Sequence, residues 1–100
     1  MVAMSESDLV AKIKTRLKRI PKAYFIKVHG DSYLVGEPDL IGCIEALAVA
    51  IEIKLPGEVP TPNQMAHLEM WRRAGALAFW ATSMEEVATT LRQYGIEVGE

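Results

Sequence analysis

Val49-Ala50-Ile51-Glu52-Ile53-Lys54 is the stretch on which the reading of this chain turns. Val49, Ile51 and Ile53 alternate with Ala50, Glu52 and Lys54, and a period of two puts each set on its own face of a β-strand. The first set asks for a core. The second carries a carboxylate and an ammonium about two residue rises, roughly 7 Å, apart along the strand. A charged pair in an otherwise apolar strand costs desolvation energy unless something compensates it. The pair is either a structural ion pair or part of a site, and Pro38-Asp39 upstream is read together with it.

Working outward, residues 39–44 read as a strand that a short turn at Glu45-Ala46 joins to a longer strand over 47–55. Two strands this close in sequence pair antiparallel as a hairpin. Residues 23–28 are rich in strand formers and supply the first strand. Gly30-Asp31-Ser32 signals a turn, and Gly36-Glu37-Pro38 a second break. Before them, Leu9, Ile13, Leu17 and Ile20 mark a helical stripe over residues 5–19. Ser5 and Ser7 are its candidate N-caps, and Pro21 stops it. Glu6 heads the apolar stripe, as a cap or as an inward-reaching ligand.

Downstream, residues 56–60 form a loop, and Thr61-Pro62 opens a helix with Thr as cap and Pro in the first position. That helix runs to about Ala74, with Gly75 as its stop. The apolar run over 76–81 fits a strand buried on both faces. Ser83 caps a helix over 84–94, and residues 96–98 read as an edge strand or a fraying end. The order α-β-β-β-α-β-α implies an α/β fold, a mixed sheet with a parallel crossover flanked by helices.

One hundred residues at half apolar composition make one domain with one core. Nothing reaches the length of a membrane span and no signal-like segment opens the chain, so no membrane and a cytoplasmic location are the expectations. The single Cys43 has no disulfide or CxxC partner, which excludes a structural zinc site of the usual kind. The net charge of −2 divides unevenly, +5 over residues 1–30 and −7 over residues 31–100. A basic first third suits an anionic partner; it also suits a solvated amphipathic helix. Met65, Met70, Trp71, Phe79 and Trp80 are read as core, with Trp71 alternatively at a dimer interface. His29 and His67 are candidates for phosphate contact or proton transfer, although lone histidines are usually incidental.

Asp39 opens one strand of the hairpin while Glu52 and Lys54 sit late in the other, so antiparallel pairing brings them to one end of the sheet. Two carboxylates there suit a hard divalent cation such as Mg²⁺, which takes few protein ligands and binds substrate phosphates. Lys54 would orient the attacking water or neutralise charge on the phosphate.

Pro38-Asp39, then twelve residues, then Glu52-x-Lys54 resembles the PD-(D/E)xK nuclease superfamily. Further features resemble its virus-type replication-repair nuclease (VRR-NUC) branch. They are Glu6 heading the first helix, Lys27, Gly36-Glu37-Pro38-Asp39, Thr61-Pro62-Asn63-Gln64, and Gly75 followed by a strand and the helix opening Ser83-Met84-Glu85-Glu86-Val87. The resemblance covers about residues 5–94 and implies a single nuclease domain over 1–100 with a restriction-endonuclease-like α-β-β-β-α-β core.

By that resemblance Asp39 and Glu52 are metal ligands, with the Ile53 backbone carbonyl assisting. Lys54 is the catalytic lysine, Gln64 packs from the helix against the site, and Glu6 completes it. Glu37 departs from the apolar residue many relatives carry before the Pro-Asp, and its role stays open. The implied activity is a Mg²⁺-dependent DNA endonuclease, with Mn²⁺ as substitute and no organic cofactor. It would hydrolyse phosphodiester bonds in branched DNA, a Holliday junction or a flap, as in DNA repair or recombination, and act as a homodimer. Lys12, Lys14, Arg16, Lys18, Arg19 and Lys22, with Lys27, would contact phosphates without reading sequence. The alternatives are a catalytically silent nuclease-fold DNA-binding module and an interaction domain whose charged strand pair is structural.

Overall fold

The computed structural model describes residues 3–29 and 34–99. The expected turn at Gly30-Asp31-Ser32 lies outside them. Seven elements follow in the expected order: α1 (Glu6–Leu17), β1 (Ala23–Lys27), β2 (Leu40–Ile44), β3 (Leu47–Ile53), α2 (Pro62–Arg73), β4 (Leu77–Ala81) and α3 (Met84–Gln93). The sheet runs β1-β2-β3-β4, with β1, β2 and β3 antiparallel and β4 parallel to β3 through the α2 crossover. No helix among the described residues is long and apolar enough to cross a membrane.

The hairpin register decides the site. Leu40 pairs with Ile51 and Ile44 with Leu47, closed by a two-residue connection at Glu45 and Ala46. Both residues have positive φ, 46° and 72°, the twist that a two-residue antiparallel turn requires and that glycine or asparagine adopts more readily. Gly42 in β2 is obligatory for another reason. A Cβ there would collide with the Tyr24 carbonyl and the Phe25 ring on the paired strand.

β3 is buried on both faces rather than one. Val49, Ile51 and Ile53 join the larger core with Leu9, Val10, Ile13 and Leu17 of α1 and Val87, Ala88 and Leu91 of α3. On the opposite face Ala50 and Ala78 meet Leu68 of α2, bordered by Ile41, Trp71 and Trp80. Small alanines let α2 lie close to the sheet, and Leu68 is the buried residue of that helix. The expectation of core positions for Met65 and Met70 is therefore corrected: both are exposed, because the α2 contact is too narrow to cover them. Phe79 is buried, and Trp71 and Trp80 are half-covered at the margin of the smaller core.

The element ends differ by a residue or two. Ser5, not Ser7, caps α1, in a reciprocal capping box with Asp8, and the helix ends at Leu17, well before Pro21. β2 begins at Leu40, so Asp39 stands just outside it, and β3 ends at Ile53. Residues 96–98 are neither strand nor frayed end. Val98 is buried in the larger core, and the Arg92 and Arg16 guanidinium groups donate to the carbonyls of Val98 and Gly99.

Candidate metal centre

Asp39 precedes β2 and Glu52 is the penultimate residue of β3, so the antiparallel register sets both at one end of the hairpin. Glu6, first residue of α1, arrives at the same place. One carboxylate oxygen from each of Glu6, Asp39 and Glu52 lies within 4.8 Å of the others. The dipole at the start of α1 is already served by Ser5 and Asp8, whose side chains bond each other's backbone amides. Glu6 is thus not the capping acid of α1, and it faces the other two acids.

Asp39 is held at both ends. The Ile53 amide donates to its Oδ2 at 2.8 Å, and its own carbonyl accepts from the Val28 amide at 2.8 Å. Glu52 is 1% exposed. Its Oε2 lies 3.8 Å from Lys54 Nζ, while its Oε1 is the buried side-chain oxygen without a hydrogen-bond partner among the described residues. An unpaired, buried carboxylate oxygen costs free energy that a structural ion pair to Lys54 leaves unrecovered.

The electrostatics follow from crowding and burial. Burial and then the Asp39 charge push the Glu52 carboxyl up to about 8, against the pull of Lys54. Burial also raises Asp39, opposed by the Ile53 amide, by Glu52 and by the Lys54 and Lys27 charges. Burial raises Glu6 in the same direction, with Lys54 opposing. Three acids raised together favour a cation among them. The donor set is all hard oxygen, which fits Mg²⁺ or Mn²⁺ and does not fit a soft thiolate metal site.

Two other residues singled out from sequence have hydrogen-bond partners of their own. Gln64 is the third residue of α2 and its side-chain oxygen accepts from the Thr61 amide, closing a capping box with the Thr61 hydroxyl. Its carbonyl is thus committed to the helix start rather than to the carboxylates. Lys27 donates to Ser7 Oγ at 3.2 Å, and its charge reaches Asp39.

The basic residues do not form one strip. At about 3.6 residues per turn, Lys12, Arg16 and Arg19 fall on one flank of α1 and its C-terminal extension, and Lys14 and Lys18 on the other. Arg16 is tied to the Gly99 carbonyl at 2.6 Å. Lys22 lies 3.8 Å from Glu45, both well exposed. Lys12, Lys18 and Arg19 remain open to solvent.

Glu37, whose role the sequence left open, does not join the three acids. Its Oε1 accepts from His67 Nδ1–H at 2.7 Å and from Trp71 Nε1–H at 3.3 Å. A carboxylate acceptor places the ring proton on Nδ1. No periodicity signals this contact, because it joins a loop to a helix thirty residues away. The available hint is that His67 and Trp71 stand four apart and so share one helix face.

No family model matches the chain, and no curated protein matches it in sequence. The fold has solved counterparts. A structure described as "VRR_NUC domain" superposes with a TM-score of 0.75 at 23% identity, covering 92% of this chain and 99% of that one. A "VRR_NUC domain protein" superposes at 0.70 and 20% identity, covering 100% of this chain and 96% of that one. The architecture is thus that of a VRR_NUC domain, a restriction-endonuclease-like α/β fold, as the sequence resemblance implied.

Proposed function

We propose that the chain, as one domain over residues 1–100, is a metal-dependent DNA endonuclease. The observation that carries this reading is the convergence of Glu6, Asp39 and Glu52 within 4.8 Å, with Lys54 beside them and Glu52 Oε1 unpartnered. A structural ion pair would need neither the second and third carboxylates nor the buried unpaired oxygen. The VRR_NUC fold supports the reading by analogy.

Asp39 and Glu52 would hold Mg²⁺, with Mn²⁺ as substitute, and Glu6 would complete the acidic face. A strand residue directs its N–H and C=O to the same side, so the Ile53 carbonyl faces the side from which Asp39 accepts the Ile53 amide, and it can assist. The bound ion would supply Lewis-acid polarisation of the phosphoryl oxygen and a more acidic water. Lys54 would orient that water or offset charge growing on the phosphate. Glu6 would accept a proton or water hydrogen bond at the outer side of the cluster. Gln64, at the opening turn of α2, would border the substrate rather than the ion. Exposed Lys12, Lys18 and Arg19, with Lys14, Arg16, Lys22 and Lys27 around them, would contact phosphates. Two flanks of positive charge on a protein of net charge −2 fit a branched substrate gripped by a homodimer better than a linear duplex bound by one copy.

Cleavage by the purified chain with Mn²⁺, on a four-way junction, a flap and a linear duplex, tests the reading. Cutting of the branched substrates that Asp39→Asn abolishes supports it. No cutting of any substrate, or equal cutting by Lys54→Ala, overturns the catalytic assignment.

A further inference from the structure

We propose that His67 and Trp71 are positioning residues for Asp39, acting through Glu37. The proposal rests on the metal-centre reading above. Asp39 stands outside β2, and the residues leading into it, 35–38, belong to no strand. Their attachment is to α2 instead. Glu37 Oε1 accepts from both His67 and Trp71, and Asn63 Nδ2 donates to the Val35 carbonyl at 3.4 Å. Gly36, at φ 90°, approaches so closely that a Cβ would collide with Asn63 and His67.

Between the clamped Glu37 and Asp39 lies one residue, the fully buried Pro38, whose ring fixes its φ. Displacement of Glu37 therefore passes to Asp39 through a stiff link. The same clamp keeps a fourth carboxylate, two residues from Asp39, turned away from the three that converge. The acid at 37 thus has structural partners in this chain, the donors at 67 and 71.

The test is Mn²⁺ titration of the full chain by calorimetry, with melting temperature measured in parallel. His67→Ala and Trp71→Phe should each weaken Mn²⁺ binding about tenfold, the scale for partners that orient a metal ligand. His67→Asn should recover most of that loss, because its amide nitrogen can donate where Nδ1 does. Trp71→Phe keeps an aromatic side chain and removes the donor together with the pyrrole ring, so with its melting temperature unchanged it decides the matter if His67→Ala fails to fold. Folded variants with unchanged Mn²⁺ affinity overturn the proposal. Equal losses in His67→Asn and His67→Ala, tracking melting temperature, also overturn it, since they mark a merely structural contact. Wild type showing no Mn²⁺ binding sensitive to Asp39→Asn overturns the metal-centre reading itself, a distinct result.

Discussion

The backbone amide of Ile53 donates to Asp39 Oδ2 at 2.8 Å, so one candidate ligand is fixed by the strand that carries the other. The hairpin register would set Ile53 opposite residue 38, beyond the end of β2. The Asp39 carboxylate takes the place of the missing ladder partner. The end of the sheet and the candidate metal centre share this one contact.

Asp39→Asn keeps an oxygen acceptor for the Ile53 amide and removes the charge, so it should fold nearly as well as wild type. Nuclease activity should fall by ~100-fold or more, with Mn²⁺ binding abolished. Asp39→Ala should also cost about 1–3 kcal/mol of stability, because the Ile53 amide is then unpaired. Denaturant titration beside a cleavage assay separates the two; equal stability of both variants would contradict the role of that bond.

Glu52 makes stability depend on pH with a definite sign. Its folded carboxyl sits at about 8 against an ordinary 4.5, so in that window the folded state holds a proton that the unfolded state has released. Stability of chelator-treated protein should therefore be greatest below about 4.5 as far as this group is concerned, and fall as pH rises to 8. Glu6 and Asp39 shift in the same direction. Glu52→Gln should flatten that fall and raise the melting temperature at pH 8, by about 4–8 °C per kcal/mol recovered, while abolishing metal binding. Melting curves from pH 5 to 8 decide it, and a wild-type curve rising with pH would contradict it.

Lys54 neighbours the acids without being a metal donor. Lys54→Met should lower kcat by roughly 100- to 1,000-fold, the scale for removal of one electrostatic stabiliser. Mn²⁺ affinity should hold or improve, since a competing cation is gone. Weaker Mn²⁺ binding by this variant would make Lys54 a structural partner of Glu52.

The basic residues should differ in their effect on DNA binding. Charge removal at Lys12, Lys18 or Arg19 should reduce the salt slope by about one for each phosphate no longer neutralised. Removal at Lys22, already beside Glu45, or at Arg16, bound to the Gly99 carbonyl, should change it less. Fluorescence anisotropy across a salt series gives the slopes; identical slopes for all five would restore the single-strip picture.

Alternation in residues 49–54, the short spacing between the two strands around 45–46 and the caps at Ser5, Thr61 and Ser83 made the element order and hairpin legible, because each is a local signal. The juxtaposition of Asp39 and Glu52 followed from the hairpin, whereas their reading as metal ligands came from the family resemblance. What sequence could not show were the long-range contacts. The strand appeared one-faced because Ala50 gives little sign of burial, yet a small residue is what α2 needs for close approach. Met65 and Met70 looked like core because helical spacing does not reveal how narrow the facing sheet surface is. The role of Glu37 stayed open until its partners on α2 were visible.

The two-residue turn at Glu45-Ala46 also sets an order of events in folding. Closing so short a loop costs little chain entropy, whereas β4 must wait for the whole α2 crossover and Glu6 for docking of a helix 33 positions before Asp39. The hairpin should thus form in the rate-limiting step and bring Asp39 to Glu52, with Glu6 added afterwards. Ala46→Gly, suited to the positive φ, should then speed folding in stopped-flow chevrons and leave unfolding nearly unchanged. A gain seen only in the unfolding limb would place the hairpin late, and both acids with it.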